Sequence, residues 1–83
     1  MTMKTQYAEK YRQLGLKVAF YRKLRNLTQE QLAELVGLSP AYIGHIEAPN
    51  IPKAVSLDTL FDLSSALRIP AYKFLVLEED DAR

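Results

Sequence analysis

The chain has 83 residues, 48% hydrophobic and 25% charged, with a formal net charge of +1. That balance fits one globular domain, near the size where a single core just suffices, and excludes a disordered polyelectrolyte. The absence of cysteine excludes disulfides and thiolate metal sites, and a single histidine argues against zinc, so neither metal nor cofactor is expected. With no run of about 18 apolar residues and no signal-peptide pattern, the expectation is a cytoplasmic protein with no membrane contact.

Residues 1–5 are polar and expected to fray. A helix begins near Gln6, with Tyr7, Tyr11, Leu14, Val18, Tyr21 and Arg25 at alternating spacings of four and three along one stripe. Leu16, Phe20, Leu24 and Leu27 form a second apolar line, which predicts burial on two sides near the helix end. Asn26 suits the left-handed residue that ends a helix. Residues 1–27 carry a net charge of +6 and residues 28–83 a net charge of −5. Such asymmetry either orients a protein on an anion or marks a solvated basic face.

Residues 28–47, TQEQLAELVGLSPAYIGHIE, read as two short helices joined by a tight turn. Thr28 and Gln31 have capping-box spacing, and Leu32, Ala33, Leu35 and Val36 give the first helix a buried face. Gly37 ends it, since glycine takes the left-handed conformation without a Cβ penalty. Ser39 caps the second helix and Pro40 occupies its first position, where the missing N–H is harmless. Ile43 and Ile46 point inward; Ala41, Tyr42, Gly44 and His45 point outward. The small Ala33 permits a close helix crossing. This pattern describes a helix-turn-helix whose second helix enters the major groove. On pattern alone, a plain helical hairpin remains the alternative.

Residues 48–55 form a loop with two prolines and an asparagine. Ser56 caps the next helix, Asp58 favours its first turn, and Leu57, Leu60, Phe61, Leu63, Ser64 and Leu67 form its buried side. Ile69-Pro70 ends it and starts a short last helix to about Leu77. There Tyr72, Phe74, Leu75 and Val76 present more apolar surface than a terminal helix needs. Glu78-Glu79-Asp80-Asp81 opens an acidic tail. No glycine-rich phosphate loop and no nucleophile–base constellation is present, so no catalytic residue is assigned and an enzyme is not expected.

From about Leu14 to Leu75 the chain resembles the Cro/C1-type (XRE-like) helix-turn-helix domain of phage repressors and bacterial regulators. The resemblance rests on the Thr28–Ala33 run, Gly37, Ile43, Ile46, Glu47 and the Ala66–Ile69 run. It implies an all-α fold, a compact lambda-repressor-like bundle of about five helices with an N-terminally extended first helix. Residues 1–13 would be the extension, serving the core or a dimer contact, residues 14–77 the DNA-binding domain and residues 78–83 a disordered acidic tail. The partner implied is double-stranded DNA, bound by a homodimer on a pseudo-palindromic operator, with no small-molecule ligand.

Carried over residue by residue, the resemblance places Gln29 at a backbone phosphate, where a helix N-terminus favours an anion. Pro40, Ala41 and His45 fall at base-facing positions, and Tyr42 at one that reaches a base or a phosphate. Family members usually follow the glutamate with a basic residue and glycine; Ala48 and Pro49 stand here, leaving Asn50 and Lys53 as loop candidates for phosphate. Arg22 and Glu47 match a structural ion pair, with Arg22 also near phosphate. Tyr72, Phe74, Leu75 and Val76 match the dimer interface of the last helix. The reading face is lean: Pro40 and Ala41 only press on a thymine methyl or exclude one, whereas His45 can donate or accept. A free-standing domain of this kind suits a small repressor or activator, such as a restriction–modification controller or a phage or plasmid regulator. The competing reading is an antitoxin or adaptor module that chiefly binds a partner protein.

Overall fold

The structure is a computed structural model that describes residues 5–78; residues 1–4 of the start expected to fray, and the acidic run after Glu78, fall outside the described residues. Among the described residues there are four α-helices: α1 Thr5–Leu24, α2 Gln29–Val36, α3 Pro40–Glu47 and α4 Leu57–Leu67. A 3₁₀ turn, Ala71–Leu75, stands where a short last α-helix is predicted. No strand occurs among the described residues.

Local chemistry fixes the helix ends. Thr28 Oγ1 accepts from the Gln31 amide at 3.0 Å and Gln31 Oε1 from the Thr28 amide at 2.8 Å, which starts α2 with a reciprocal capping box. Ser39 and Ser56 accept from the amides of Tyr42 and Thr59, each at 3.1 Å, and start α3 and α4. Asn26 (φ 60°) and Gly37 (φ 71°) take the left-handed conformation behind α1 and α2. Arg68 does the same behind α4 (φ 56°), a position the sequence does not announce. Its strain is offset by Arg25, whose Nε donates to the Leu67 carbonyl at 2.7 Å and Nη2 to the Arg68 carbonyl at 3.0 Å.

The core is one cluster drawn from every element. Leu14 and Val18 of α1 meet Leu32 and Ala33 of α2, Ile43 and Ile46 of α3, and Leu60, Leu63 and Leu67 of α4. Ile69 and Phe74 close it from the C-terminal side. Phe74 is fully buried and meets Tyr21 edge-to-face, with ring centroids 5.3 Å apart.

Several faces differ from expectation. Leu16, Phe20 and Leu24 are exposed, Phe20 to 59%, so α1 is buried on one side only. The core takes Leu14 and Val18 from α1, and the second apolar line stays outside it. Tyr7 is exposed as well, so the stripe fades toward the N-terminus. Leu35 of α2 and Leu57 and Phe61 of α4 are exposed too, because a narrow bundle covers only the centre of each apolar arc. Glu78 is no free tail: its amide donates to Gln13 Oε1 at 2.7 Å, fastening the end of the described chain to α1.

α1 and α3 cross in close backbone contact. A Cβ added at Gly15 would fall on the carbonyl oxygen of Ile46, so only glycine lets α1 lie this close to the last turn of α3. Ala33 is buried in the core, but Gly15 makes the closest backbone approach. A glycine inside a helix, unfavourable by about 1 kcal/mol against alanine, is the signal that could have located it.

Candidate nucleic-acid interface

The eight residues of α3 divide by exposure. Ile43, Ile46 and Glu47 are buried, while Pro40, Ala41 and His45 are exposed and Gly44 is half-buried. Tyr42 departs from expectation. It is half-buried, with its ring packed against the core and the Lys53 ammonium 5.1 Å from the ring centroid. The outward face therefore holds one freely exposed polar reader, His45, flanked by two small apolar residues.

Beneath that face lies a charged clamp. Arg22 Nε donates to Glu47 Oε2 at 2.7 Å and Nη2 to Glu47 Oε1 at 2.9 Å, a bidentate pair. Arg22 and Glu47 are only 8% and 7% exposed. The hydrogen bond to Glu47 raises the Arg22 guanidinium above its ordinary pKa, against the opposing effect of burial. Arg22 Nη1 donates to the Leu27 carbonyl at 2.7 Å, and Gln29 Nε2 donates to Glu47 Oε1 at 2.9 Å. Glu47 thus joins the end of α1, the start of α2 and the end of α3.

This geometry revises one assignment and qualifies another. Arg22 is withdrawn from the phosphate set, because three of its N–H groups already have protein acceptors and the group is buried. Gln29 is half-buried, and its amide nitrogen is held by Glu47. The end of its side chain lies beside Gly44, where an added Cβ would stand at an ordinary 3.6 Å from Gln29 Oε1. Asn50 is exposed in the loop and Lys53 half-buried on it.

The basic segment of residues 1–27 is also partly engaged. Arg12 pairs with Glu9 on the surface, and that hydrogen bond, then one from Gln13, lowers the Glu9 pKa to about 2. Arg25 is committed to the α4 carbonyls. The charge asymmetry of the sequence therefore overstates the basic surface available to an anion. Of the dimer set, Tyr72, Leu75 and Val76 are exposed. Phe74 is removed from it, since its side chain is the hub that fastens the 3₁₀ turn to the core.

A family model described as helix-turn-helix matches residues 18–74. The chain belongs to the Cro/C1-type helix-turn-helix family. It is also 44% identical over 62 residues to control protein C.SmaI of Serratia marcescens, an alignment covering 75% of this chain and 71% of that protein. As a member of a family of regulators rather than an enzyme class, this helix-turn-helix protein is a DNA-binding transcriptional regulator, and its partner is double-stranded DNA. Among the described residues no helix is long and apolar enough to cross a membrane.

Proposed function

We propose that this helix-turn-helix protein regulates transcription as a symmetric homodimer that lays two copies of α3 in successive major grooves of a pseudo-palindromic operator, about 34 Å apart. The observation carrying this reading is the division of α3: its isoleucines are buried and its clamp seated, while Pro40, Ala41 and His45 are left outward. Pro40 and Ala41 meet base edges by shape, His45 by hydrogen bonding, and Tyr42 by its phenol edge. The N-terminus of α2 with Gln29, together with Asn50 and Lys53, meets the phosphates. Exposed Tyr72, Leu75 and Val76 supply apolar surface for self-association. Likeness to a control protein favours this regulatory role over an antitoxin or adaptor role.

With one polar reader on the helix, operator spacing and DNA deformability contribute much of the sequence preference. Selection of bound duplex from a random pool tests the proposal. The expected product is a two-fold symmetric site whose half-sites lie one helical turn apart; a pool without symmetry or preference would refute it.

A further inference from the structure

We infer that Lys53 is a positioning residue for Tyr42, setting the orientation of the phenol on the reading face in addition to any phosphate contact of its own. The inference rests on the proposed placement of α3 against DNA. Lys53 Nζ stands 5.1 Å from the centroid of the Tyr42 ring, over its π-face. Both residues are half-buried, and a cation over a ring is attracted to it more strongly where water is excluded. Among the described residues Lys53 makes no ion pair or hydrogen bond, so the ring is its polar partner in the DNA-free protein.

The placement is held from both sides. Tyr42 packs against the core through its ring, and its amide is tied to Ser39 in the first turn of α3. Val55, two residues beyond Lys53, packs against the same core and anchors the exit of the loop. The 48–55 loop, which leaves the reading helix at Ala48, returns to it through this cation–ring contact. A tyrosine side chain packed against the core and met by an ammonium over its ring has fewer orientations left. Its hydroxyl is then held ready for a base rather than ordered at the moment of binding. Sequence reading treats Lys53 and Tyr42 as separate contacts; their juxtaposition makes them one unit.

The test is a double-mutant cycle read as discrimination between the selected operator and the same duplex altered at one base pair of the half-site. Lys53→Gln is expected to reduce discrimination about two- to fivefold, the range of a partly exposed cation–ring contact. In a Tyr42→Leu background, Lys53→Gln should leave discrimination unchanged and only weaken both duplexes alike. Lys53→Arg, which keeps a cation over the ring, should restore discrimination. Equal losses on all duplexes in both backgrounds would reduce Lys53 to a phosphate contact and overturn the inference. A readout without DNA accompanies it: the Lys53 ε-methylene protons should be shifted upfield by the ring current, and the shift should vanish in Tyr42→Leu. Absence of that shift in the wild type would also overturn the pairing. If the wild type bound every duplex alike while the shift was present, the reading-face assignment would fail and the positioning role with it.

Discussion

Gln29, the first residue of α2, donates from its side-chain amide to Glu47, the last residue of α3, across 2.9 Å. The same carboxylate oxygen accepts from Arg22 Nη2. The relative placement of the two motif helices is thus set by a polar lock as well as by Leu32, Ala33, Ile43 and Ile46.

Removing the lock should separate its members by magnitude. Glu47→Ala leaves the Arg22 cation buried without its partner and should destabilise by about 3–5 kcal/mol. Gln29→Ala leaves Glu47 still held by Arg22 and should cost about 0.5–1.5 kcal/mol. Urea unfolding of both variants measures this. Equal losses would mean that the buried Arg22 cation does not depend on the carboxylate.

Gly15→Ala should be worse than a helix-propensity scale suggests. Alanine favours a helix, yet its methyl would meet the Ile46 carbonyl, and the α1–α3 crossing has to open. A net loss of about 1–3 kcal/mol is expected, as for overpacking elsewhere. Thermal melts check the sign. DNA affinity should fall with stability, because α3 moves with the crossing.

Phe74 and Tyr72 lie two residues apart in the 3₁₀ turn and have opposite fates. Phe74→Ala should destabilise the monomer fold by about 3–5 kcal/mol. Tyr72→Ser should leave the fold intact and, on the proposed homodimer, shift the monomer–dimer equilibrium toward monomer. Sedimentation equilibrium with far-UV circular dichroism on both variants distinguishes the two effects.

Acid should affect Glu9 in a characteristic way. Its carboxyl is lowered from 4.5 to about 2 by the Arg12 hydrogen bond, so its contribution is present above the ordinary carboxylate range and is lost as pH falls through about 2. The pair lies at the surface, with side chains 36% (Arg12) and 48% (Glu9) exposed, and water screens it. The expected result is a Glu9 NMR titration midpoint near 2 that returns to the ordinary range in Arg12→Ala, with little change in Tm at neutral pH.

His45→Ala should reduce discrimination between operator variants without altering stability, because the imidazole is exposed and lies outside the core. Gln29→Ala should weaken all duplexes alike, beyond its stability effect. Titrations of each variant with the operator and with an altered duplex separate the two. The slope of log K against log salt should stay the same in both, because neither substitution removes a lysine or arginine.

What could be read in advance follows the reach of each interaction. The starts of α2, α3 and α4 and the left-handed Asn26 and Gly37 were legible because a cap involves residues three or four apart. Apolar spacing located Leu14, Val18, Leu60, Leu63 and Leu67 but could not tell them from Phe20, Leu24, Leu35 or Phe61. Periodicity reports which side is apolar, and only the neighbouring elements decide which part of it is covered. The Arg22–Glu47 pairing came from family resemblance, since residues 25 apart carry no local signal. Arg25 on the α4 carbonyls and the Gln29–Glu47 bond span still larger or comparable gaps and had no sequence signature. Tyr42 was assigned to solvent because two isoleucines already defined an inward stripe, but an eight-residue helix lets a large ring fold back beside them.

Leu14, Gly15 and the Gln13–Glu78 fastening all lie outside residues 18–74, the span shared with the family. A fragment trimmed to that span would retain every outward residue of α3 yet lose the glycine against which α3 is seated. It would also lose the clasp that draws the C-terminal segment over α1. Anyone transplanting this reading head onto another scaffold should therefore move the whole of α1 with it, treating that helix as the mount rather than as a leader.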